Sequence, residues 1–118
     1  MNTEKQLKLF VQSFSRNQWL RDDCMRVYVR KGLHHLNDGK SHSTLDIASI
    51  EILPECRGNG IFKSFLSAAH QLNPFDYVYI ECVSNPMMKN YLDRSGWTRV
   101  KELKIDYCYY KKSDNNYV

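Results

Sequence analysis

Apolar residues recur near the start of the chain at Leu7, Phe10, Val11 and Phe14, three and four positions apart, with Leu20 further on. That period marks one face of a helix, so residues 3–20 are predicted helical. Thr3 stands as the N-cap, with Gln6 at the position from which a capping-box side chain reaches back. The pattern then changes to alternation. Residues 24–30, CMRVYVR, carry β-formers at every second place and predict a strand. Residues 37–43, NDGKSHS, are turn chemistry with Asp38-Gly39 as the tightest point. Residues 44–53, TLDIASIEIL, read as a second strand, antiparallel to the first, and Pro54 ends its pairing.

The helical period returns over residues 61–72, IFKSFLSAAHQL, with Ile61, Phe65, Leu66, Ala69 and Leu72 on the buried side. Asn73-Pro74 stops it. Residues 75–83, FDYVYIECV, are an almost unbroken apolar run, the mark of a strand covered on both faces. Pro86 opens a short helix over 86–95, which Ser95-Gly96 closes. Residues 97–101 and 105–111 read as two closing strands, and residues 113–118 as a frayed end. The predicted fold is α/β (α+β), a single domain over 1–118. Its sheet is mixed and mostly antiparallel, with a central parallel, right-handed strand–helix–strand unit and helices on both faces.

Composition narrows the class. The chain has 118 residues, 42% hydrophobic and 25% charged, in the range of a globular domain. Its apolar runs fall well short of the roughly 18–20 residues that span a membrane. No secretory signal is read at the N-terminus, which lacks a basic region and a cleavage site. Cys24, Cys56, Cys82 and Cys108 are widely spaced, without metal-ligand spacing. They are expected as reduced thiols in a cytoplasmic protein. The formal charge of +4 arises among 13 interspersed acidic residues, so nucleic acid is not an expected partner.

The chemistry gathers around residues 54–65, PECRGNGIFKSF. Gly58 and Gly60 allow positive φ and close approach in a turn between a strand and a helix. The first amides of that helix have no internal partner and carry partial positive charge. Arg57 and Lys63 add cationic charge. Such a loop suits a pyrophosphate, but it can equally be a plain turn. A Walker loop is excluded because Gly60 is followed by Ile61 and Phe62, not Lys and Ser/Thr. The dinucleotide fingerprint is excluded because Phe62 and Lys63 stand where its third Gly belongs.

A second segment, ECVSNPMMKNYLDRSGW, places Asn85 just after the next strand, then a helix, then Gly96-Trp97. With Arg57-Gly58-Asn59-Gly60-Ile61-Phe62 and its IEILPE lead-in, the chain resembles the GCN5-related N-acetyltransferase superfamily over residues 44–100. The resemblance implies transfer of an acetyl group from acetyl-CoA to an amine, on a protein or a small molecule, by direct attack, in a monomer or homodimer. It implies that the cofactor's pantetheine arm pairs with strand amides of the Ile50–Ile52 stretch. The pyrophosphate would rest on Arg57 and the amides of Gly58, Asn59, Gly60, Ile61, Phe62 and Lys63, and Asn85 would touch the cofactor or cap the following helix. For the general base it offers Glu81 or Asp46. Alternation puts Glu51 on the opposite face from Asp46. Two positions depart from the family pattern. Leu92 stands where the family commonly has an acid Tyr, with Tyr91 about 100° around the helix, and Phe62 stands where it has Gly or Ala. The alternative is a catalytically weak module on the same fold that binds coenzyme A or a macromolecular partner.

Two further features are weighed and set aside. His34, His35 and His42 lack Cys or carboxylates at ligand spacing, so no metal is expected. Tyr107, Tyr109 and Tyr110 read as a half-buried strand before a base-stacking surface. Glu81, inside an apolar strand, is costly unless paired or functional.

Overall fold

The computed structural model describes residues 2–83, 85–101 and 107–113. The first helix, α1, spans Thr3–Gln12 and is capped by Asn2, whose Oδ1 accepts from the Lys5 amide at 2.8 Å. Thr3 lies inside the helix, so the predicted cap moves by one residue. Gln6 does not serve as a capping-box partner; its side chain clasps Arg21, donating to the carbonyl at 2.6 Å and accepting from the amide at 3.0 Å.

The helix predicted through residue 20 therefore ends early. Asn17–Arg21 forms an edge strand, β1, in which Leu20 alone is buried. One buried residue has no period of its own, so in the sequence it extends the helical pattern of the preceding segment. Phe14, counted on the helix's apolar face, is fully exposed.

The hairpin about Asp38-Gly39 is as predicted, with Gly39 at φ +79°. Its strands are longer than the alternation suggested: β2 is Met25–His35 and β3 is Ser41–Ile52. The next helix, α2, spans Ile61–Leu72, as read from the period. It leads to β4 (Tyr77–Val83), α3 (Pro86–Arg94), β5 (Thr98–Arg99) and β6 (Tyr107–Lys112). The sheet order is β1-β2-β3-β4-β6-β5, and among the described residues only β3 and β4 pair in parallel. This is the mixed, mostly antiparallel sheet with a central parallel unit that the element order predicts.

All three helices feed one hydrophobic cluster. Leu7 and Phe10 of α1, Phe65, Leu66 and Ala69 of α2 and Leu92 of α3 pack on Val27, Val29, Leu45, Ile47, Val78 and Ile80. Each of the Leu, Val, Ile and Phe side chains contributes about 1.5–3 kcal/mol. Helices were expected on both faces; the described ones share a single face. The reason is topological. The crossovers β3–α2–β4 and β4–α3–β5 both step the same way across the sheet, and right-handed crossovers in one direction lay their helices on one side. The other face carries a smaller cluster of Leu36, Tyr79, Cys108 and Tyr110.

Two local features shape the rest. Tyr28 pairs with Ser49 but Val29 with Ile47, so Ala48 is an extra residue, a bulge in β3. The bulge inverts alternation, and Glu51 falls on the same face as Asp46, as their partners Arg26 and Arg30 show. The opposite-face expectation for Glu51 is thereby corrected. The second feature is a disulfide between Cys24 and Cys56, against the expectation of reduced, isolated thiols. The residues are 32 apart in sequence, but the Met25–Ile52 register and the Leu53 amide's bond to the Cys24 carbonyl at 2.9 Å bring them together. Cys108 is buried and unpaired in a disulfide. Among the described residues no helix is long and apolar enough to cross a membrane.

Candidate functional site

The parallel ladder between β3 and β4 is short. It runs from Thr44–Tyr77 to Ile47–Ile80 and ends at the Ala48 bulge. A bulge bends its strand and sharpens the twist, so residues 48–52 turn away from β4. Among the described residues their edge on that side has no strand partner, and backbone groups so exposed require one from elsewhere. The gap is a cleft. One part, about 370 Å³, is walled by Ser49, Ile50, Glu81, Asn85 and Met88. It runs into a second part of about 620 Å³ along Ile50, Ile52, Leu53, Pro54 and Arg57, again with Asn85 on its wall. Both volumes are in the range of small-molecule sites.

The glycine loop follows Arg57, which alone of residues 57–63 lies on the wall of the cleft. Gly58 and Gly60 have φ of +84° and +73°, where a side chain is strained. Gly60 is the N-cap of α2 and offers no side-chain acceptor, so the first-turn amides of Ile61, Phe62 and Lys63 are left uncapped by a side chain. Arg57 lies on the cleft and donates from Nε to the Ile52 carbonyl at 3.1 Å. Asn59 braces the loop by donating to the Cys56 carbonyl at 3.2 Å. Asn59, Gly60 and Ile61 line a separate cavity of about 460 Å³, which also has Glu4, Asp22 and Asp23 on its wall. Those carboxylates repel phosphate, so the cleft side with Arg57 is the one suited to an anion.

The Phe62 ring packs against the core and edge-on to Tyr91, with centroids 6.1 Å apart. It turns away from the loop, and its bulk does not occupy the turn. Lys63 places its ammonium 5.0 Å from the Tyr91 ring centre. Tyr91 therefore faces the start of α2. Leu92 is fully buried in the core. Neither residue lines the cleft. Asn85 caps α3, its Oδ1 accepting from the amide of Met87 at 2.9 Å, while lining both parts of the cleft.

Glu81 and Asp46, offered by the sequence as alternatives, belong to one polar cluster on the helix-free face. Asp46 is buried. Its Oδ1 accepts from the Thr44 hydroxyl at 2.6 Å and its Oδ2 from His34 Nε2 at 3.0 Å, with Arg30 Nε 3.8 Å away. Glu81 accepts a hydrogen bond from Arg30 Nη2 through Oε1, and His34 Nε2 lies 3.8 Å from the same oxygen. Only Glu81 reaches the cleft. The His34 ring lies flat on Tyr79, centroids 3.8 Å apart and 5° from parallel. Burial, then a hydrogen bond with the Cys108 thiol, raises the Tyr79 hydroxyl well above its ordinary pKa.

Sequence reasoning missed Arg30 and Gly32, and set His34 aside for want of carboxylates at ligand spacing. The carboxylates near His34 come from other strands, so no sequence spacing announces them; in space its nitrogen and the oxygens of Asp46 and Glu81 fall within 4.8 Å of one another. Arg30 already supplies the cation there. A signal did exist. Arg30, Gly32 and His34 share one face of β2, and Arg30 and Asp46 stand equally far from Asp38 at the hairpin tip. The remaining histidines lie apart: His42 bonds Asp38 at 2.8 Å, beside the turn. Tyr109 and Tyr110 are buried in the sheet, and Tyr107 lies under Lys89 and Arg99.

No protein-family model matches the chain, and no curated protein matches it. Among solved structures, it is similar to the crystal structure of nourseothricin acetyltransferase, with a TM-score of 0.48 and 19% identity, covering 78% of this chain and 67% of that one.

Proposed function

We propose that the protein transfers an acetyl group from acetyl-CoA to an amine. The observation that carries this reading is the parting of β3 from β4 at the Ala48 bulge, beside a glycine loop at a helix start. The free edge of residues 48–52 suits an extended arm that pairs as an added strand. The Gly58–Lys63 backbone with Arg57 suits its pyrophosphate. These are the residues at which the sequence resembles the N-acetyltransferase superfamily.

Glu81 is the base in this reading. An alkyl ammonium must lose a proton before it attacks the thioester, and a carboxylate on the cleft wall can accept it. Asp46 is buried behind it with both oxygens engaged. The nitrogen then bonds to the acyl carbon, the carbon–sulfur bond breaks, and the nitrogen's second proton ends on the departing thiolate. No Tyr near Leu92 serves as the acid; solvent can relay that proton to the thiolate.

The burial of Leu92 also favours a second reading, a module that binds coenzyme A without turnover. Thermal shift with acetyl-CoA, coenzyme A and ATP separates the two, because a bound ligand raises Tm with its saturation. Stabilisation by both coenzyme A forms, with acetyl-CoA consumed over a panel of amines, is expected. Stabilisation without consumption selects the binding module. No stabilisation by either form overturns both.

A further inference from the structure

We infer that Arg30 positions Glu81 as the base at the cleft, with Asp46 and His34 as the support that holds Arg30; this rests on the acyl-transfer reading. A glutamate side chain has several soft torsions, and ordering it costs entropy unless something grips it. The grip here is directional. Arg30 donates to Oε1, and among the described residues no hydrogen bond engages Oε2, which is left for the acceptor's proton.

Arg30 needs its own anchor, being partly exposed on β2. Asp46 is its direct cross-strand partner. That carboxylate is fixed from three sides: the Thr44 hydroxyl, the His34 ring, and Gly32, which carries no side chain to displace it. His34 in turn is held flat against Tyr79. The groups facing one another across β2, β3 and β4 are thus Arg30, His34, Asp46, Tyr79 and Glu81, and Cys108 of β6 adjoins Tyr79.

Such a set is an expensive way to cover a sheet face. Burying Asp46 costs desolvation that its partners offset only with good geometry, and apolar residues of similar volume commonly do as well for stability. What the polar set provides, and apolar residues cannot, is a carboxylate held in one place at the cleft.

The proton balance is simple. The acceptor's ammonium gives one proton to Glu81 and its second N–H proton to the coenzyme A thiolate; Glu81 returns its proton to solvent, so one proton is released per turnover.

The test uses the full chain with Arg30→Met, Arg30→Lys and His34→Gln. Turnover is measured over the amine panel, with pH profiles and melting curves. Arg30→Met is expected to lower kcat by roughly 10- to 100-fold, as misplacement of a reacting group does. The KM for acetyl-CoA should stay within about twofold, since the lost contact is not a cofactor contact. Arg30→Lys should recover part of the loss and Arg30→Met should change the shape of the pH profile. His34→Gln, whose amide can still donate to Asp46, should cost less than Arg30→Met. An Arg30→Met protein that melts like wild type and keeps kcat and pH profile overturns the inference while leaving acyl transfer standing. If Arg30→Met does not fold, Arg30→Gln, which lacks the cation, overturns it equally when it folds with an unaltered kcat and pH profile. A wild-type protein that turns over no amine overturns the acyl-transfer reading, and this inference with it.

Discussion

The Asp46 carboxylate lies directly over Gly32: a Cβ built on that glycine would fall 2.3 Å from Oδ2 and 2.8 Å from Cγ. Side chains do not approach that closely, so Asp46 occupies its place only because residue 32 has no side chain. Gly32→Ala should cost about 1–3 kcal/mol, as overpacking does. Asp46→Ala in the same background should recover part of that cost. Urea melts of both singles and the double give the coupling energy; additive effects would show that the two sites do not touch.

The Cys24–Cys56 disulfide ties the β1–β2 turn to the residue just before the glycine loop. Reduction should lower stability by about 2–4 kcal/mol. Hydrogen exchange at residues 57–63 should accelerate on reduction, whether or not a ligand binds. Melts and exchange with and without dithiothreitol check this, and Cys24→Ser should reproduce the reduced state. Equal exchange in both states would mean that the loop is held by its hydrogen bonds alone.

Asn85 should have two separable roles. Asn85→Ala removes the cap of α3 and should cost about 1 kcal/mol. Asn85→Asp keeps an oxygen for the cap, so its melting point should stay near wild type. Stabilisation by coenzyme A should weaken in both if the side chain also touches the cofactor, and in neither if the cap is its whole role.

Phe62→Ala should destabilise by about 1–3 kcal/mol, because the half-buried ring packs on Tyr91 and the core. The coenzyme A dissociation constant should change by less than about threefold, a difference of under 1 kcal/mol. Tighter binding in the alanine variant would show that the ring does obstruct the loop.

Alkaline stability should decline early. The Tyr79 hydroxyl titrates above its ordinary value of 10.0 because burial, and then Cys108, disfavour the phenolate. In the unfolded chain the group ionises at its ordinary pKa. The stabilisation is therefore complete below about pH 10 and is lost as pH rises from there toward the raised folded value. Tyr77 is raised as well, chiefly by burial, and adds in the same direction. Melting curves between pH 8 and about 11 should fall less steeply for Tyr79→Phe than for wild type.

What the sequence by itself determined is local. The bounds of α2, the start of α3 at Pro86 and the Asp38-Gly39 turn follow from periodicity, capping and glycine chemistry, all of which act within a few residues. The glycine loop and Asn85 were legible for the same reason, as contiguous motifs. Tertiary structure decided whatever depends on which strands meet. It brought Cys24 to Cys56, set Arg30 and His34 against Asp46 and Glu81, and put all the described helices on one face. One extra residue, Ala48, shows why such facts do not appear in a linear pattern. Alternation along a single strand counts residues, whereas the face a side chain takes is set by register with the neighbouring strand. A bulge changes that register without leaving a mark in composition. Here the same bulge parts β3 from β4, so the cleft and the face of every β3 residue beyond it have one cause.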